Sequence, residues 1–191
     1  MWRPMYDTKQ FRKALKIEVD GIPYNIVDFQ LVSPGKGGSF VRTKLKNMLN
    51  ENVIERTFKT GDKVGRPDLQ QLEFQYLYRE GDHFYFMNQV NYEQVPLDGH
   101  IVATARDFLQ ENLVVQVLFF NGKAIGVELP TFVELKVVNT EPGFKGDTAT
   151  GAQKPAKLET GVSINVPLHI KEGDVLKVDT RDYKYIEKVN R

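Results

Sequence analysis

Residues 113–127 read LVVQVLFFNGKAIGV. Two apolar runs rich in Val, Ile and Phe flank an Asn121-Gly122 pair. β-Branched and aromatic residues favour a pleated, half-buried strand. Asn-Gly accepts the positive φ angles of a type I′ turn, whose twist suits the two strands it joins. The stretch predicts a β-hairpin, and the same grammar recurs along the chain. Leu15, Ile17 and Val19 alternate with polar residues, Asp20-Gly21 supplies a turn, and residues 22–29 resume an apolar run. Val41, Thr43 and Leu45 alternate with Arg42, Lys44 and Lys46, a period of two that sends one set to a core and three cations to the other face. Residues 53–58 return as a strand. Leu72, Phe74, Tyr76 and Tyr78 alternate with Glu73, Gln75 and Leu77, and Glu80-Gly81-Asp82 turns the chain into an aromatic strand over residues 83–87.

Helical patterning is scarce. Residues 104–109 carry the best of it, with Thr104 placed as an N-cap and Asp107 three positions on. Many short strands separated by turns predict an all-β protein built of small barrels or sandwiches. The polar Gly/Pro-containing stretch at residues 61–68 and Leu129-Pro130-Thr131 divide the chain into residues 1–66, 67–128 and 129–191. Each segment has about the smallest size that folds alone, which suits compact barrels.

Composition narrows the function. A hydrophobic share of 41% with 27% charged residues is that of a globular protein. The absence of cysteine excludes disulfides, a thiol nucleophile and thiolate metal sites. His83, His100 and His169 are too dispersed for a histidine metal centre, so no metal or cofactor is expected. No apolar run resembles a leader peptide or a membrane span, and the chain reads as soluble and cytoplasmic. The 26 Lys and Arg nearly balance the 25 Asp and Glu, which argues against a polybasic coat. By segment the balance breaks. Residues 1–66 hold 13 cations and 7 acids (+6), residues 67–128 hold 3 and 9 (−6), and residues 129–191 hold 10 and 9 (+1). A swing of that size between neighbours is more than chance scatter. It points the first segment at a polyanion and the second away from it, or toward a basic partner.

The most unusual local sequence is Ser33-Pro34-Gly35-Lys36-Gly37-Gly38-Ser39, between two strands. Pro34 stiffens the approach, and Gly35, Gly37 and Gly38 leave no Cβ near Lys36, so a single long cation projects from a bare hairpin tip. The plain alternative is a flexible turn with an incidental lysine. A phosphate-binding P-loop fails on spacing, because GxxxxGK[ST] is absent, and on context, because a strand follows instead of a helix. A nucleotide-dependent enzyme built on this loop is therefore disfavoured. Beside the loop, Arg42, Lys44 and Lys46 form a basic ribbon able to follow a nucleic-acid backbone through phosphate contacts, or else a solvated outer face. Tyr76, Tyr78, Phe84, Tyr85 and Phe86 offer either base-stacking platforms or core. No paired carboxylates and no Ser/His/Asp signature argue for an enzyme.

The loop SPGKGGSF (33–40) after LKIEVDGIPY (15–24), the strand VRTKLKN (41–47), FKTGD (58–62), and the run from FVELKVV (132–138) through INVPLHIKEGDVLKVDTR (164–181) together resemble bacterial elongation factor P over nearly the whole chain. Gly146-Asp147-Thr148-Ala149 with Lys154-Pro155-Ala156 and Thr160-Gly161 is the most specific part. The resemblance implies an L-shaped, all-β protein of three small β-barrels in tandem. Residues 1–66 would be SH3-like (KOW-like), and residues 67–128 and 129–191 OB-type. It implies a translation factor that binds both ribosomal subunits beside peptidyl-tRNA and relieves stalling at consecutive prolines. On this likeness Lys36 sits near the tRNA acceptor end and is often extended by a modifying enzyme with a β-lysyl or other group. Gly146, Asp147 and Thr148 would face the small subunit and the exit-site mRNA codon, and Tyr185 would touch RNA. A cytoplasmic monomer without a membrane partner is expected. A general RNA-binding OB module with no role for Lys36 is the competing reading.

Two departures from the family pattern stand out. The C-terminal T-x-x-G-x-Y-x-x-R carries Tyr183 at the glycine and Lys188 at the arginine, while Tyr185 matches the tyrosine. Losing the glycine calls the usual turn into question, and lysine lacks arginine's planar fork. Ala152-Gln153 replaces the paired glycines common before Lys-Pro-Ala, which predicts a less mobile loop.

Overall fold

A computed structural model describes residues 4–35, 37–142 and 152–189. Among the described residues sixteen strands form three antiparallel sheets, so the all-β expectation holds. The chain gathers into two compact units, Met1–Gln71 with Leu118–Ile125, and Leu72–Val117 with Gly126–Arg191.

The first sheet contains β1 (Met5–Asp7), β2 (Lys16–Val19), β3 (Ile22–Val32), β4 (Phe40–Asn47), β5 (Val53–Lys59) and β6 (Lys63–Gly65), in the order β1-β6-β2-β3-β4-β5. Asp20 at φ 53° and Gly21 at φ 77° make the β2–β3 turn that Asp-Gly forecasts. Ile17, Ile26, Val41, Leu45, Phe58 and Val64 share one buried cluster. Strands from both ends of the order therefore face the same core, and the sheet wraps around it. Val41, Thr43 and Leu45 are buried as their period of two requires.

The second sheet has β7 (Leu69–Glu80), β8 (His83–Asn88), β9 (Gln94–Asp98), β10 (Val114–Phe120) and β11 (Lys123–Glu128), in the order β11-β10-β7-β8-β9. Asn121 at φ 48° and Gly122 at φ 77° form the turn read from residues 113–127. Phe74, Tyr76, Phe84, Phe86, Val115 and Val117 are buried. Simple alternation would put Tyr78 with them. The pairing instead shifts by one residue between Tyr76 and Tyr78, so Leu77 is the extra residue of a bulge and Tyr78 turns outward. The helix expected over residues 104–109 is also displaced. A single α-turn, α1 (Gly99–Val102), comes first, and a 3-10 turn follows at Ala103–Asp107. Ala103, at φ 47°, breaks the helix between them, and Thr104 caps nothing.

The third sheet has β12 (Phe132–Thr140), β13 (Gln153–Leu158), β14 (Ser163–Pro167), β15 (Val175–Asp179) and β16 (Lys184–Lys188), in the order β14-β13-β12-β15-β16. Its core combines Val133, Leu135, Leu158, Val166, Leu176 and Val178 with Ile170 and with Phe108 from beyond α1.

Candidate functional site

The first sheet builds an arm for the Gly-rich loop. β3 and β4 stay paired from Tyr24↔Asn47 to Val32↔Phe40, and β5 follows β4 to Phe40↔Lys59. All three strands end in the row Val32–Phe40–Lys59, from which residues 33–39 depart. A bulge at Val27 shifts the β3 register. Beyond it the strand runs past the core, leaving Phe29 and Leu31 on the inner face 38% and 61% exposed. The base of the loop is braced. Ser33 Oγ and Ser39 Oγ lie 3.0 Å apart, and the Thr60 N–H and hydroxyl both donate to the Ser39 carbonyl at 3.0 and 2.8 Å. Pro34 is exposed, and a Cβ on Gly35, Gly37 or Gly38 would meet no atom within 4 Å. Only Gly37, at φ 113°, needs glycine for its backbone. The other two make the loop slender. Lys36, Gly146, Asp147 and Thr148 lie outside the described residues.

The basic ribbon is more selective than its sequence. Arg42, Lys44 and Lys46 share the outer face, but Lys44 stands between Asp28 and Glu55 across the strands, and Lys46 Nζ pairs with Glu51 at 3.1 Å. Asp28 is engaged by Lys13 at 3.1 Å, whose hydrogen bond and charge hold its carboxyl below the usual range. Arg42 is different, flanked by Gln30 and Thr57. Lys59 occupies the outer face of the terminal row and escaped the sequence reading, because its place beside the loop depends on the β4–β5 register. Arg42 and Lys59 are thus the cations closest to the loop along this face.

In the third sheet, the base of the segment containing Gly146, Asp147 and Thr148 is fixed from both sides. Lys154 is 7% exposed, and its ammonium donates to the Glu141 carbonyl at 2.6 Å. The Thr140 hydroxyl donates to the Pro155 carbonyl at 2.9 Å, and the Thr140 N–H donates to Glu172 Oε1 at 3.3 Å. Lys154 of the Lys-Pro-Ala signature therefore has a structural task. Tyr185 is only partly exposed and packs against the third core.

The two C-terminal departures both have partners. Tyr183 adopts φ 59°, the left-handed conformation that glycine would take without strain. Its ring lies 4.8 Å from that of Phe108, and its hydroxyl donates to Asp107 Oδ2 at 2.9 Å. Burial, then the Asp107 hydrogen bond, raise its pKa. The turn persists because the tyrosine side chain is anchored. Lys188 Nζ pairs with Asp174 Oδ1 at 2.8 Å, while Asp174 Oδ2 accepts the Lys171 N–H at 2.9 Å. Those two hydrogen bonds lower the Asp174 pKa.

Among the described residues no group of three or more His, Asp and Glu side chains is placed to hold a metal ion, and no helix is long and apolar enough to cross a membrane. What the arm offers is charge and shape.

Comparison with known proteins gives this arrangement its context. Residues 7–64 match the family model described as the elongation factor P KOW-like domain, residues 69–127 the elongation factor P OB domain, and residues 133–188 the elongation factor P C-terminal model. The elongation factor P of Moorella thermoacetica is 53% identical over 184 residues, covering 96% of this chain and 100% of its own. That of Nitratidesulfovibrio vulgaris is 51% identical over 182 residues, covering 95% and 98%. Among solved structures, a eukaryotic translation initiation factor 5A from Methanococcus jannaschii aligns with TM-score 0.53 at 23% identity, over 65% of this chain and 96% of that one, a likeness of fold. With all three sheets matched in sequence and relatives at half identity over nearly the full length, the chain belongs to the elongation factor P family, whose members are translation elongation factors and not enzymes.

Proposed function

We propose that this protein binds the ribosome beside peptidyl-tRNA and speeds peptide-bond formation at consecutive prolines, with Lys36 positioning the tRNA acceptor end. The observation that supports this most is the braced three-strand arm ending in the glycine-flanked loop, with Arg42 and Lys59 on its outer face. A slender support can enter a narrow space between RNA walls, and the two cations suit phosphates along the way. Proline reacts slowly because its ring fixes φ and restricts the reacting groups. Holding the peptidyl end in a reactive orientation removes an entropic part of the barrier and needs no side-chain acid or base. The chemistry of transfer stays with the ribosome.

A β-lysyl or comparable extension on Lys36 would add reach and hydrogen-bond donors where glycines leave room. Gly146, Asp147 and Thr148 would contact the small subunit and exit-site codon from a loop whose base Lys154 holds. The protein acts in this reading as a cytoplasmic monomer.

The test is a reporter with three consecutive prolines in a strain lacking the protein, complemented with the wild type or with Lys36→Ala. Restored translation with the wild type and persistent stalling with Lys36→Ala is expected. Equal rescue by both would leave a general RNA-binding role in its place. Intact mass of protein from its native host reports the modification, and a mass equal to that of the plain chain would remove the extension from the proposal.

A further inference from the structure

The bulge at Leu77 has an outcome outside the elongation role of Lys36. By turning Tyr78 outward, it lines Tyr78 up with Tyr85 and Pro96 in one cross-strand row on the outer face of the second sheet. The two tyrosine rings stack with centroids 4.6 Å apart and planes 16° from parallel. Tyr78 is 46% exposed, and Pro96 is exposed. The adjacent row is Glu80–His83–Asp98, and all three residues are exposed. Glu80 Oε2 lies 3.4 Å from the Tyr85 hydroxyl, and Asp98 Oδ1 lies 2.9 Å from His83 Nδ1.

The nearby cations are directed elsewhere. Arg79 pairs across the sheet with the buried Phe84, places its guanidinium 5.0 Å from that ring, and donates to the Gly81 carbonyl at 2.7 Å. Arg106 donates to the Ala103 and Gly99 carbonyls at 2.8 and 2.9 Å. Residues 67–128 carry 3 cations against 9 acids. A flat aromatic surface remains, rimmed by carboxylates and turned to solvent.

That combination matches one chemistry well. A guanidinium stacks on aromatic faces and makes forked hydrogen bonds to carboxylates, and both contacts are offered here by adjacent rows. Single-stranded nucleic acid would also find rings to stack on, but its phosphates would have to run along the acidic row. We infer that the Tyr78–Tyr85–Pro96 face is a docking surface for an arginine-rich protein segment, with an arginine laid over the tyrosine stack and its guanidinium directed to Glu80 or Asp98.

The probes are a short peptide alternating arginine and glycine, the same peptide with the neutral isostere citrulline in place of arginine, and a short oligouridine. Each is titrated into the full-length protein at physiological ionic strength. Amide NMR shifts map the site, and fluorescence anisotropy gives the affinity. The arginine peptide should shift resonances of residues 75–98. Its affinity should fall by about tenfold in Tyr78→Ser, the size of one lost cation–π contact. It should also fall in the surface variant Glu80→Gln with Asp98→Asn, and the citrulline peptide should not bind. Three results would overturn the inference: no binding of the arginine peptide, binding that both variants leave unchanged, or oligouridine binding at the same residues with higher affinity.

Discussion

Lys154 is nearly enclosed, and the Glu141 carbonyl is the partner its ammonium reaches. Removing it leaves that carbonyl without its donor and a void where the aliphatic stem lay. Lys154→Ala should therefore cost about 1–3 kcal/mol of stability, read from denaturant unfolding. Tyr183 sets two effects against each other. Replacing it with glycine removes roughly 1–2 kcal/mol of left-handed strain. The same change gives up the Phe108 ring contact, the Asp107 hydrogen bond and the buried area of a tyrosine. Buried aromatic area is the larger quantity, so Tyr183→Gly should lower the free energy of unfolding, and Tyr183→Phe should lower it less, by about 1 kcal/mol, both read from denaturant unfolding. Asp179 gives a pH signature. The Arg181 side chain forks onto both its oxygens at 3.0 and 2.6 Å, and the Arg181 N–H adds a bond at 3.0 Å. These bonds bring its pKa to about 2, below the ordinary 3.8. A depressed pKa contributes stability that is fully present above the unfolded value and lost as pH falls through the folded one. Stability measured from pH 4 to pH 2 should fall less steeply in Asp179→Asn than in the wild type.

At the scale of the element, Gly122→Ala tests the hairpin that decides the fold class. Its φ of 77° is left-handed and the space around it is open, so the alanine meets no clash and the cost is backbone strain, at roughly 1–2 kcal/mol. A thermal melt checks it. What the sequence showed of the fold and what it hid divide here. Asp20-Gly21 and Asn121-Gly122 were legible because local backbone chemistry selects those residues. The period of two correctly buried Val41, Thr43 and Leu45. The bulges at Val27 and Leu77 were not legible, since an extra residue is accommodated by pairing with the neighbouring strand and leaves no mark in its own strand's composition. That is why simple alternation places Tyr78 on the core side while the structure turns it outward. Lys59 stayed hidden for a related reason: its distance from the loop is set by cross-strand register. Residues 104–109 had helical spacing, yet the turn starts at Gly99 and breaks at Ala103, because the segment follows the packing of Val102 and Phe108. Of the candidate site, the loop and its glycines were plain in the sequence. The placement of Lys44 between Asp28 and Glu55 of the neighbouring strands, and the pairing of Lys46 with Glu51 of the β4–β5 turn, were not.

For the whole molecule, a near-neutral total conceals a basic first segment and an acidic second one. Charge balance is a property to be resolved by segment before it excludes an RNA partner. The arm's outer face should contribute to ribosome binding through phosphates, so Arg42→Glu with Lys59→Glu should weaken binding and flatten its dependence on salt, measured by ribosome co-sedimentation across an ionic-strength series. The central claim concerns Lys36 alone. Its most direct test is the rate of Pro-Pro-Pro peptide formation on purified ribosomes saturated with the wild type or with Lys36→Ala, both carried through the host's own modification. The wild type should accelerate the reaction, and Lys36→Ala, while still bound, should lose at least about tenfold of that acceleration. Equal acceleration by the two proteins would contradict the account.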